Sequence, residues 1–124
     1  MKARNFVGLV GLVFVFTGCA TGKQKYVWGD YDPALYAYYK SPAKSGELEK
    51  ALTKAIGASE KRGGRVAPGL LAEYGYLQLQ QGQFDIAAAY FQRESQLWPE
   101  SKVFMERMIK VAQKAPPPSV TEGK

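Results

Sequence analysis

The chain has 124 residues, with 17 Lys and Arg against 11 Asp and Glu, a formal net charge of +6, one cysteine and no histidine. Without histidine there is no His-based triad, no imidazole metal ligand and no ordinary base titrating near neutrality, and a lone thiol permits no internal disulfide. The length allows one modest core, and no basic helix with interleaved aromatics points to nucleic acid.

In chain order, the first expected element is an export signal. Lys2 and Arg4 form a positive segment, and the apolar run Phe6 to Phe16 follows. That run falls short of the roughly 20 apolar residues a spanning helix needs, and the small residues Thr17 and Gly18 lead into Cys19. Phe16-Thr17-Gly18-Cys19 resembles the bacterial lipobox, with Phe16 where Leu is usual. The resemblance implies a signal peptide over residues 1–18, cleavage before Cys19, and a diacylglycerol and an N-acyl chain on Cys19, with no other cofactor. Ala20 is not the Asp that marks inner-membrane retention in lipoproteins of enteric-type bacteria. The implied address is therefore the outer membrane, facing the periplasm, with enough acyl chains for stable anchoring.

Residues 19–25 read as a lipidated polar tether. Residues 115–124, with Pro116-Pro117-Pro118, read as a flexible Pro-rich tail. Between them, 26–114 reads as all-α, about five helices. Asp32-Pro33 supplies a cap and a first-turn proline for a helix running to about Lys40. A helix over roughly Glu47 to Lys61 carries Leu48, Leu52, Ala55, Ile56 and Ser59 on one face and stops at Gly63-Gly64. Pro68-Gly69 opens a helix from about Leu70 to Gln81 with Leu70, Tyr74 and Leu77 along a stripe. After a turn at Gly82, a helix from Phe84 to Leu97 has two apolar rows, Ala87 with Phe91 and Ile86 with Tyr90 and Leu97, so it should be sandwiched between neighbours. Pro99 ends it, Ser101 is a candidate cap, and Val103 to Lys114 carries Phe104, Met108 and Val111 on one face.

Pro68 to Ser101 resembles a tetratricopeptide repeat, a helix–turn–helix of about 34 residues. Gly75 and Ala87 stand at its close-contact positions, Gly82 in the turn, Phe84 at the start of the second helix, Phe91 at the large packing position and Pro99 at the stop. Leu71 stands for the usual Trp and Tyr74 for Leu, while Gln78 and Glu94-Ser95 depart from the pattern. A weaker echo occurs at Gly29-Asp30-Tyr31-Asp32-Pro33-Ala34 with Tyr38. The resemblance implies a tetratricopeptide-like stack, with the outer helices covering the repeat.

The mature chain also looks like a family of small bacterial lipoproteins known as domain of unknown function 4810. Tyr26-Val27-Trp28-Gly29-Asp30-Tyr31, Leu35 to Lys40, Val66-Ala67-Pro68-Gly69, Glu73 to Leu77 and Pro99-Glu100-Ser101 carry that likeness. It implies genes beside lipoproteins similar to the curli-secretion channel, so such a lipoprotein is a candidate partner. It implies no activity.

Two surfaces are candidates for holding a protein partner. One is the aromatic cluster with Tyr26, Trp28, Tyr36 and Tyr39, since Trp and Tyr dominate binding hot spots; burial in the core is the competing use. The other is the exposed face of the helix from Leu70, where Glu73, Tyr76 and Gln80 should line a groove. Lys61, Arg62 and Arg65 around Gly63-Gly64 follow a helix and lack the strand–loop–helix setting of a phosphate site. Asp30, Asp32, Glu47 and Glu49 read as caps and first-turn acids. No catalytic residue or metal site is expected. The functional expectation is an outer-membrane-anchored, non-enzymatic protein-binding adaptor in envelope assembly or secretion. The alternative is a lipoprotein regulator that binds and activates a periplasmic cell-wall enzyme.

Overall fold

The computed structural model describes residues 24–114, and the expected signal peptide, Cys19, most of the tether and the Pro-rich tail lie outside them. The described residues form five α-helices and no strand: α1 Tyr31–Lys40, α2 Ser45–Lys61, α3 Leu70–Gln80, α4 Phe84–Leu97 and α5 Lys102–Lys114. Single 3-10 turns at Pro42–Lys44 and Pro99–Ser101 lead into α2 and α5.

The helix stops follow from glycine. Gly63 has φ 65° and Gly82 has φ 77°, a left-handed conformation that costs glycine little. In each case two crossing bonds close the helix end: Gly64 N–H to Ser59 O with Gly63 N–H to Glu60 O, and Gln83 N–H to Gln78 O with Gly82 N–H to Leu79 O. This is the Schellman arrangement, and it satisfies carbonyls that a helix terminus otherwise leaves open. The expected caps fare differently. Asp32 lies in the first turn of α1 instead of at its cap, and Ser101 donates its hydroxyl to Trp98 O at 2.7 Å instead of accepting from α5.

Successive helices run antiparallel. Glu49 near the start of α2 meets Gln78 and Gln81 near the end of α3. Helices two apart run parallel, because Tyr31 pairs with Glu73 and Tyr38 with Gln80, each seven residues further along both α1 and α3. Arg93 of α4 reaches Glu60 of α2 in the same way. Residues of α3 and α5 line a common groove. Thus α1, α3 and α5 form one layer, and α2 and α4 the other.

Two apolar clusters hold the layers. Leu48, Leu52, Ala55 and Ile56 of α2 pack with Val66, Ala67 and Leu70, Leu71 and Leu77 of α3. Ala87 and Phe91 of α4 pack with Met105 and Ala112 of α5. The expected sandwich is seen: Tyr90 and Leu97 of α4 pack on the first cluster, while Ala87 and Phe91 belong to the second. Ile86 departs from the expectation and is exposed.

Helix α5 buries Met105 and Ala112, with Met108 and Ile109 partly covered, while Phe104 and Val111 are 61% and 51% exposed. The helix carries two adjacent apolar rows, and periodicity alone does not choose between them. Ala112 lets α5 lie close to α4 over the Met105 row, which turns Phe104 and Val111 outward.

Candidate protein-docking groove

The site grows from the layer of α1, α3 and α5. Gly69 begins α3 with φ 90°, so only glycine fits there comfortably, and it offers no side chain to cap the helix. Glu94, almost wholly buried on α4, fills that role from across the hairpin. Its Oε1 accepts the Gly69 N–H at 2.7 Å, while Oε2 completes no hydrogen bond. Burial pushes the Glu94 carboxyl up from the ordinary glutamate range, and the backbone N–H groups of Gly69, Ala72 and Leu71 oppose that rise. The start of α3 is thereby tied to α4, which fixes the direction in which Glu73 and Tyr76 project.

The exposed α3 face divides into two parts. Toward α1, the Tyr31 hydroxyl donates to Glu73 Oε2, and the Tyr38 hydroxyl donates to Gln80 Oε1 at 3.2 Å. Burial, then the hydrogen bond and charge of Glu73, raise the Tyr31 hydroxyl far above the usual phenol range. Toward α5, Ala72, Glu73 and Tyr76 face Phe104, Met105 and Met108 across a groove of about 350 Å³, with Gly69 and Phe91 completing its lining. The surface is almost entirely apolar; Tyr76 is 46% exposed.

The residues expected to bind a partner therefore separate. Tyr76 and Glu73 line the groove, but Glu73 and Gln80 already serve as acceptors for α1. Tyr36 and Tyr39 are exposed, at 64% and 86%, on a part of α1 remote in sequence from that groove. Tyr26 and Trp28 pack against the first core cluster. They belong to an aromatic chain: Tyr26 meets Trp98 edge-on at 5.9 Å and Trp28 at 6.3 Å, and Trp28 meets Tyr31 at 5.7 Å. An apolar body with an edge for polar contact suits each ring to this partly buried strap.

Several participants were not visible in the sequence. Phe104 shares a helix face with Met108 and Val111 in the sequence, and its groove position arises from the choice of α5 row. Glu94 stands where the repeat pattern has a small residue, and that departure was the only available signal of its capping role. Glu49, read as a first-turn acid, instead accepts from Gln78 Nε2 at 2.8 Å and Gln81 Nε2 at 2.9 Å. Arg65 is likewise structural: its guanidinium donates to Leu97 O and lies 4.0 Å from the Trp98 ring centre.

Among the described residues there is no cluster of Cys, Asp and Glu suited to a metal, and no helix long and apolar enough to cross a membrane. Compared with known families, residues 25–108 match the one described as Domain of unknown function (DUF4810). No curated protein and no solved structure matches the chain.

Proposed function

Because the chain belongs to the family Domain of unknown function (DUF4810), which brings no activity with it, we propose from its own residues that it is an outer-membrane-anchored lipoprotein acting as a non-enzymatic protein-binding adaptor in envelope assembly or secretion. The anchor is Cys19, which follows an apolar run and two small residues. The domain is a tetratricopeptide-like stack. Supporting that are the contact of Gly75 with Phe91 and Ala87, the Gly82 turn and the parallel run of α1 and α3.

The observation that carries the binding role is the groove between α3 and α5, where exposed Tyr76 and Phe104 flank a nearly all-apolar floor. A monomer ordinarily covers such side chains, and an open row of them marks a contact surface. The acids have other duties: Glu94 caps α3, Glu73 holds Tyr31 and Glu49 joins α2 to α3.

Two measurements test the reading. Alkyne-palmitate labelling in cells should tag the chain, and Cys19→Ser should abolish the tag; labelling that persists without Cys19 defeats the lipoprotein assignment. A photo-crosslinking amino acid at Tyr76 should trap an envelope protein, with a lipoprotein similar to the curli-secretion channel as the candidate, whereas one at solvent-facing Lys50 should not. Equal trapping at both positions, or none at Tyr76, defeats the adaptor assignment.

A further inference from the structure

We infer that the α3–α5 groove takes a peptide segment whose bulky apolar side chains are flanked by acidic residues, an inference that rests on the protein-binding reading above.

The apolar half of this chemistry comes from the groove floor. Ala72 and Met108 are set between two helices above buried Met105, so they can be reached by inserted side chains and not by a flat lipid surface. Methionines at such a floor adapt to differently shaped aliphatic groups. The acidic half comes from α5. Phe104, Arg107 and Val111 succeed one another at spacings of three and four and so share a face, and Arg107, Lys110 and Lys114 continue it at the same spacings. All three basic residues are exposed and make no ion pair among the described residues, whereas Lys102 lies 4.0 Å from Glu106. On the opposite wall, Glu73 is already bonded to the Tyr31 hydroxyl.

A bound segment would thus meet an apolar trough lined by no cation of its own, with Arg107 next to the Phe104 wall and Lys114 and Lys110 further round α5. Acidic groups next to its apolar anchors would settle over the α5 crest and speed encounter. A second copy packed α5 against α5 would instead oppose Arg107, Lys110 and Lys114 with their equivalents, which like-charge repulsion disfavours. Among the described residues, the outer face of α5 is not wholly polar, because Val103, Phe104 and Val111 are exposed on it.

Selection of a random 12-residue peptide library on the full-length chain, purified in detergent, tests the inference. Enriched peptides should hold at least two bulky apolar residues and an excess of Asp and Glu over the starting library. A fluorescent copy of the strongest should bind at least tenfold more weakly to Phe104→Ser and to the double variant Arg107→Glu, Lys110→Glu. The Tyr36→Ser, Tyr39→Ser variant should bind unchanged. Far-ultraviolet dichroism confirms that each variant is folded, which surface substitutions on α5 should permit. Enriched peptides without acidic excess, or binding indifferent to charge reversal, overturn this inference and leave the adaptor reading standing. No enrichment of any peptide overturns both. Concentration-dependent dimerisation abolished by Phe104→Ser assigns the groove to a second copy. Charge-reversal-sensitive sedimentation with phosphatidylglycerol vesicles, without peptide binding, assigns the surface to anionic lipid; either result overturns the proposal.

Discussion

Gly75 and Phe91 meet so closely that a methyl group on Gly75 would lie 2.9 Å from the ring carbon Cε1, and 3.2 Å from the Ala87 carbonyl oxygen. Gly75→Ala adds helix propensity worth up to about 1 kcal/mol, yet it drives a rigid ring and a backbone oxygen apart at a cost of about 1–3 kcal/mol. The expected net effect is destabilisation, read as a lower urea midpoint. Phe91→Leu should destabilise the parent but recover part of the loss in the Gly75→Ala background, because the two changes share one contact. Simple additivity of the two would refute the assigned clash.

Glu94 gives a pH signature. Burial raises its carboxyl in the folded state, so folding holds the proton more tightly than the unfolded chain does. This group's stability contribution is therefore full below the ordinary glutamate range, and it falls as pH rises from there through the raised folded value. Glu94→Gln should flatten the stability profile across that acidic window while keeping an acceptor for the Gly69 N–H. Glu94→Ala removes the cap and should cost about 1–3 kcal/mol at neutral pH. Unchanged profiles in denaturant titrations from pH 4 to 7 would exclude the proposed role.

The two tyrosines that tie α1 to α3 should not contribute equally. Tyr31 is half-buried and donates to a carboxylate, whereas the Tyr38 bond to Gln80 is 3.2 Å long and exposed. Tyr31→Phe should cost about 1–2 kcal/mol and Tyr38→Phe less than about 0.5 kcal/mol. Since the folded-state value of Tyr31 is raised, its contribution holds below about pH 10 and is lost as pH climbs above it. Alkaline unfolding should begin later in Tyr38→Phe than its neutral stability relative to Tyr31→Phe would suggest only if this assignment fails; the expected result is a flatter alkaline limb for Tyr31→Phe alone.

The basic loop after α2 should divide by position. Arg65 stacks on Trp98 and bonds Leu97 O, so Arg65→Ala should lower stability by about 0.5–1 kcal/mol and alter Trp fluorescence. Lys61→Ala and Arg62→Ala, both exposed, should stay within about 0.5 kcal/mol of the parent. Thermal melts of the three variants check this directly.

The sequence by itself determined that residues 26–114 form an all-α domain, and nearly where each helix stops. Local causes suffice for that: Gly63-Gly64 and Gly82 can enter the left-handed region, prolines cannot continue a helix, and the spacing of Leu48, Leu52 and Ile56 admits one buried face. Gly75, Ala87 and Phe91 were legible too, because a close helix crossing needs a small residue opposite a ring.

Only the tertiary structure decided which of two apolar rows α5 buries, and that choice made Phe104 a groove wall instead of a core residue. It also decided that Tyr26 and Trp28 pack while Tyr36 and Tyr39 face solvent, and that Glu73, Gln80, Glu49 and Glu94 bond across helices. The physical reason is common to all of them. Periodicity fixes which residues share a helix face, but burial and hydrogen bonding depend on which neighbour that face meets, and partners more than twenty residues away leave no local trace in the chain.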